Sequence, residues 1–261
     1  MDLGIKGKVA LVTASSGGLG AAIARTLAAE GAKVAITGTN REKLDKTEAA
    51  IKAAGGAVIS LVWDLGDLSL IEPSIARIEK ELGPIDILVN NTGGPPPSPA
   101  SGQSQEVWTK HFNSMVLSVI AITDRVLPGM RARQWGRVLT STSMGTIVPI
   151  PNLGVSNTLR ASLVGWSKTV SREVAREGVT VNVISPGRIL TDRIYQIDGA
   201  AAKREGKTIE EVAAASQATI PAGRYGDPQE FADVATFLCS ARASYVTGSN
   251  VRVDGGVIPN V

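Results

Sequence analysis

Short apolar runs alternate with longer amphipathic stretches along almost the whole chain. Residues 8–13 are largely apolar, residues 14–20 are small and glycine-rich, and residues 21–30 are alanine-rich with helical composition. The alternation continues: apolar 34–37 precedes a helical 41–54, apolar 57–63 precedes a helix over 67–82 that Pro73 is expected to interrupt early, and apolar 85–89 precedes a long helical stretch at 104–133. Residues 136–142, 179–184 and 250–254 read as further strands, and 154–178 and 228–241 as further helices. Runs this short predict buried strands, while Val107, Phe112, Met115 and Val119 fall at helical spacings. A repeated strand-helix order predicts an α/β fold with a mainly parallel sheet, right-handed crossovers and helices on both faces. No repeat or linker divides the 261 residues. A single domain over 1–261 follows.

The first thirty residues give that domain a chemistry. Strand, glycine turn and helix follow one another without a spare residue, and Gly18 and Gly20 lack the side chains that would keep a ligand off the main chain. A helix starting there points unpaired N–H groups and a positive dipole end at the same spot, which suits a pyrophosphate. Glycines also serve ordinary tight turns. With the strand that follows, the pattern predicts a Rossmann-type doubly wound parallel sheet. Such folds that take NAD usually carry Asp or Glu at the end of the second strand. Here that position reads Gly38, Thr39, Asn40, Arg41. No carboxylate repels a 2′-phosphate, and a hydroxyl, an amide and a guanidinium are available to bind one, so NADP(H) is favoured over NAD(H). Arg41 could equally start the next helix in solvent.

Other candidates lie at strand ends, where ligands of open α/β sheets collect. Asp64 is one, although it could simply cap the next helix. Residues 90–97 (Asn-Asn-Thr-Gly-Gly-Pro-Pro-Pro) form a turn that should border the cofactor. Residues 188–226 are more polar and irregular, with short helices expected around Ala200 and Glu210, and are placed as a substrate lid.

Composition narrows the partners. With 27 basic residues scattered among 24 acidic ones, a net charge of +3 and no run of like charge, nothing suggests a nucleic-acid tract or a membrane-surface helix. No apolar run approaches a membrane span, and the first residues lack a basic-then-apolar leader, so a soluble, cytoplasmic protein is expected. The single Cys239 lies in an apolar stretch and reads as a buried thiol. His111, the only histidine, is remote from any Cys or carboxylate cluster and reads as a surface or interface residue; no metal site is expected.

Four separated motifs follow in order along the chain: Thr13-Ala-Ser-Ser-Gly-Gly-Leu-Gly20, Asn90-Asn-Thr-Gly93, Pro186-Gly187 with Thr191 beyond, and Val253-Asp-Gly-Gly256. Together they resemble the short-chain dehydrogenase/reductase family, and in flavour its 3-oxoacyl-(acyl carrier protein) reductase-like members. The resemblance covers nearly the whole chain, with Ala14 standing for the first motif glycine. It implies a cofactor site built from Thr13, Ser15, Ser16, Gly18, Leu19 and Gly20, with Ser15, Ser16 and Thr39 near the adenosine phosphate, next to the Asn40 and Arg41 already read from the end of the second strand. Asp64 and Leu65 would flank the adenine, Asn90 the ribose, with Thr92 and Gly93 following. Ile189 and Thr191 would lie near the carboxamide of the nicotinamide, with Pro186 and Gly187 also in the cofactor site. It also implies a homo-tetramer or dimer built on the two long helices and the final strand.

The catalytic positions depart from the family pattern of Tyr-x-x-x-Lys with a Ser thirteen residues upstream and an Asn on the preceding long helix. The Tyr falls on Ser156 and the Lys on Arg160; the serine is kept as Ser143, and Asn113 is the candidate asparagine. Residues four apart share a helix face, so 156 and 160 can look into one site. A serine hydroxyl is a far poorer acid than a phenol, and a guanidinium can stabilise charge but not relay a proton. Three readings follow. The protein reduces a carbonyl compound or acyl thioester with NADP(H); or it binds NADP(H) as a sensor or structural partner; or it acts on another bond, such as an activated alkene. Tyr195 and Tyr225, in or next to the lid, could donate a proton or merely pack it.

Overall fold

The computed structural model describes residues 1–260. Among these, seven strands form one sheet: β1 (Val9–Val12), β2 (Lys33–Gly38), β3 (Ala57–Val62), β4 (Ile87–Asn90), β5 (Gly136–Ser141), β6 (Val179–Pro186) and β7 (Asn250–Val253). Their order is β3-β2-β1-β4-β5-β6-β7, and every pairing is parallel. The expected α/β architecture is therefore present, and β1 sits where the strand order reverses, between β2 and β4. That reversal opens a crevice at the carboxyl ends of β1 and β4.

Alternation along the strands feeds two cores. Ala10 and Val12 of β1 point to a cluster with Ile23 and Leu27 of α1 (Gly18–Ala29), Leu44 and Ile51 of α2 (Arg41–Ala53), and Phe231 and Leu238 of α9 (Pro228–Leu238). Val9 and Leu11 point the other way, to Ile75 and Ile78 of α3 (Ile71–Glu81), Ile122 and Val126 of α5 (Ser118–Ala132), and Val170 and Val174 of α6 (Gly154–Val174). Each such buried aliphatic or Phe side chain contributes about 1.5–3 kcal/mol, so both helical layers are held by the same strand. Cys239 is buried as expected, and burial pushes its thiol up to about 12.

Two expected helices differ in detail. The 104–133 stretch is α4 (Gln105–Phe112) and α5, joined by a π turn at Asn113–Leu117. Pro73 does not interrupt its helix: it lies in the first turn of α3, where a missing N–H costs no bond, and the irregularity comes earlier, as a 3-10 turn at Leu68–Leu70 capped by Asp67. Residues 188–226 hold α7 (Asp192–Glu205) and α8 (Ile209–Ala218), more regular than expected. Tyr225 anchors this excursion: buried against Ile194 and Ile220, it donates to Asp198 Oδ2 at 2.7 Å while Arg188 pairs with Asp198 Oδ1 at 2.8 Å. Among the described residues, no helix is long and apolar enough to cross a membrane.

Candidate functional site

A cavity of about 710 Å³ opens at the carboxyl ends of the strands, over the crevice beside β1. Its first wall is the glycine turn. α1 starts at Gly18 with no side chain capping it, so the N–H groups of its first turn stand open. Gly18 has φ of 55°, and its bare Cα faces Thr191, whose methyl would lie 3.7 Å from a Cβ there. Ala14, also on this wall, holds φ of 45°, a left-handed geometry that its Cβ disfavours.

The turn is stapled by the residue just past β4. Asn91 donates from Nδ2 to Ala14 O at 3.0 Å and to Thr13 O at 3.3 Å, and Thr13 Oγ1 donates to Asn91 O at 2.7 Å. These bonds move several expected contacts by one position. Thr13 and Gly20 hold the turn from behind and do not line the cavity. The Ser15 hydroxyl is buried, donating to Val12 O at 2.6 Å and accepting from Thr37 N–H at 3.1 Å; Ser16 is the serine on the wall. Asn90 lies inside β4, its amide donating to Thr123 Oγ1 at 3.0 Å, and Asn91 reaches the cavity instead.

At the end of β2, Thr39 lines the cavity, but Asn40 and Arg41 do not. The Asn40 side chain caps α2 by accepting from Lys43 N–H at 2.9 Å, and Arg41 pairs with Asp45 at 2.7 Å on the outer face. The cation on the wall is Lys43, 3.4 Å from Asp192 of α7. Nothing in the motifs pointed to it; helical phase places it, two residues past the expected arginine. Asp64 and Leu65 border the cavity, Asp64 accepting from Gly66 N–H at 2.8 Å. His111, expected as a surface or interface residue, is half-buried on the cavity wall, and burial beside Lys110 lowers its imidazole pKa. No group of three His, Cys, Asp or Glu among the described residues could hold a metal.

The opposite wall comes from β5, α6 and the loop after β4. Ser143, Ser156 and Arg160 all line it, with Thr92 and Gly93. Ser143 Oγ accepts from Gly145 N–H at 3.0 Å, which orients the hydroxyl at the end of β5. Ser156 and Arg160, one helical turn apart on α6, present the same face, as their spacing requires. The Arg160 guanidinium donates to Ser141 O at 3.2 Å, Gly93 O at 2.9 Å and Thr92 O at 3.4 Å. Burial, and then the nearby Arg193, push its pKa down to about 10, so it stays cationic at neutral pH. The Thr92 hydroxyl is buried and has no partner among the described residues. Asn113 does not reach the cavity; the π turn presents Ser114 and Met115 there instead. Pro186, Gly187, Ile189 and Thr191 close the lid side. Tyr195 is exposed and Tyr225 is occupied by Asp198, and neither borders the cavity.

The cavity thus has two chemistries. Open N–H donors, hydroxyls and a lysine at one end suit a phosphorylated ligand, and two serines with a guanidinium at the other suit an oxygen that gathers negative charge.

Comparison with known proteins shows the family and the kind of cofactor bound by its structural neighbours. A family described as enoyl-(acyl carrier protein) reductase matches residues 13–258. The 3-oxoacyl-[acyl-carrier-protein] reductase of Escherichia coli is 35% identical over 258 residues, covering 98% of this chain and 99% of its own. Dehydrogenase/reductase SDR family member 4 of Sus scrofa is 34% identical, covering 97% of this chain and 88% of its own. Among solved structures, L-sorbose reductase from Gluconobacter frateurii, complexed with NADPH and L-sorbose, superposes with a TM-score of 0.94 at 30% identity over the whole of both chains. An NADPH-dependent reductase involved in bacilysin biosynthesis superposes at 0.92 with 28% identity, covering 97% of this chain and 99% of its own.

Proposed function

The chain belongs to the short-chain dehydrogenase/reductase family, and from that premise we propose that it is an NADP(H)-dependent oxidoreductase that reduces a carbonyl with an atypical proton-delivery apparatus. The observation that carries this reading is the convergence of Ser143, Ser156 and Arg160 on the cavity whose other end offers the open first turn of α1. The residues present fit the cofactor: Ser16, Thr39 and Lys43 for the 2′-phosphate, the N–H groups of Gly18 and Leu19 for the diphosphate, Asp64 and Leu65 for the adenine, and Thr92 and Arg160 toward the nicotinamide ribose. Bound there, NADPH supplies a hydride for the carbonyl carbon.

The protein's own groups serve the oxygen. The Ser143 hydroxyl and an N–H of Arg160 donate to it as charge gathers, a role that needs a fixed donor and a permanent cation rather than a transferable proton. Delivery of the proton then falls to the Ser156 hydroxyl with water, or to the substrate itself. Losing a well-matched general acid costs on the order of 10²–10⁴-fold, leaving a slowed but real reaction driven by proximity and orientation.

The test is NADPH oxidation on a panel that includes a 3-oxoacyl thioester and L-sorbose. Restoring an acid by Ser156→Tyr together with Arg160→Lys is expected to raise ketone reduction by about 10²-fold. NADPH binding with no turnover on any carbonyl would mark a nucleotide-binding protein instead, and no rise in the double variant would count against this account of the site.

A further inference from the structure

Arg160 is not the only guanidinium at the reactive end. Arg193, near the start of α7, lines the same cavity and reaches across to Pro95 O at 2.7 Å. Gly94 lies between the two arginines: a Cβ there would be 3.7 Å from Nη2 of each. Among the described residues neither has a carboxylate partner. Of the acidic groups on the cavity wall, Asp192 pairs with Lys43 and Asp64 accepts from Gly66, while Asp198 nearby is taken by Arg188 and Tyr225.

Two like charges held together at a half-enclosed wall oppose each other unless something negative joins them. Backbone carbonyls satisfy much of Arg160, which spends three bonds on Ser141, Thr92 and Gly93. Arg193 makes one bond in the structure, and a guanidinium has five N–H donors in a planar fork that matches a carboxylate. Resting on the reductase reading above, we infer that the substrate is an oxo acid. Its carboxylate seats on the open edge of Arg193 beside Arg160, with its carbonyl turned to Ser143. The anion is the substrate's rather than the cofactor's diphosphate. Thr191, two residues earlier, is the side chain that meets Gly18 at the start of α1, whereas Arg193 is bonded to the loop after β4.

Paired probes differing only in charge test this: acetoacetate against methyl acetoacetate, and levulinate against methyl levulinate. The wild-type protein with saturating NADPH is expected to favour the acids in kcat/KM by roughly 10- to 100-fold, the range a charged hydrogen-bonded contact supplies. Arg193→Gln should bring the acid-to-ester ratio toward one, and Arg193→Lys should keep part of it. Esters used as well as acids by the wild type would overturn the inference, as would an Arg193→Gln variant that loses NADPH affinity while keeping the ratio. Calorimetry of the same four compounds on cofactor-free protein separates this from the reductase reading. Selective acid binding without any NADPH association would support the carboxylate seat and sink the reductase; NADPH-driven turnover with no preference for acids would do the reverse.

Discussion

Ala14 holds a left-handed backbone at φ of 45° in the turn that faces the proposed diphosphate, and Asn91 fixes it there through two carbonyls. Since a Cβ in that region costs roughly 1 kcal/mol, Ala14→Gly is expected to be neutral to stabilising by up to about that amount despite the freer unfolded chain. At roughly 2–4 °C per kcal/mol for a chain of this size, thermal unfolding should show a rise of a few degrees at most; a clear fall would mean that the methyl packs better than its strain suggests. At the end of β2 the expectation concerns charge. Lys43→Ala should weaken NADPH binding by about 10-fold, the scale of one charge-assisted bond of 1.5–3 kcal/mol or slightly less, and leave NADH nearly untouched. Arg41→Ala should do neither, which nucleotide fluorescence titration would show. Sequence motifs located these neighbourhoods but slipped within them. Ser15 and Ser16 are neighbours in the turn after β1, and Asn90 and Asn91 straddle the end of β4, so one member of each pair is buried while the other borders the cavity. Which member turns to the ligand depends on bonds made far along the chain, such as Asn91 to Ala14 or Asn90 to Thr123.

Elements were more legible than their phase. Every strand read from an apolar run is present, because a strand buried on both faces needs little more than that run. The long helix before β5 shows what periodicity misses. Its π turn at Asn113–Leu117 adds a residue to one turn and rotates everything around it, so that Ser114 and Met115 rather than Asn113 reach the cavity. A second phase-setting contact lies at the start of α6, where Gly154 packs on the backbone of Ala100 and donates to Ser98 O at 2.9 Å while Leu153 bridges Ser98. A Cβ at 154 would overlap Ala100. Gly154→Val is therefore expected to cost about 1–3 kcal/mol of stability by overpacking. It should also shift the loop that carries Gly93 and Gly94, lowering turnover more than NADPH affinity. Denaturant midpoints and paired binding and rate measurements would check both; unchanged stability with unchanged turnover would mean that the loop yields freely.

At the scale of the whole molecule, the cavity draws its lining from Ala14 to Ile197, yet hardly any of it is local. β1 pairs with β2, the next strand along the chain, and also with β4, which must pass over α2, β3 and α3 to arrive. Parallel pairings of that reach are slow to form, and chains longer than about 150 residues commonly populate intermediates. Nucleotide affinity should consequently be among the last properties recovered when the protein is diluted from urea. Far-UV dichroism should return first, and the enhanced emission of NADPH should trail it; coincident recovery of the two signals would contradict this order. A half-built protein would then carry its helices and its greasy strand surfaces exposed with no cofactor to brace them, so the interval before the crevice beside β1 closes is when this chain is most open to aggregation.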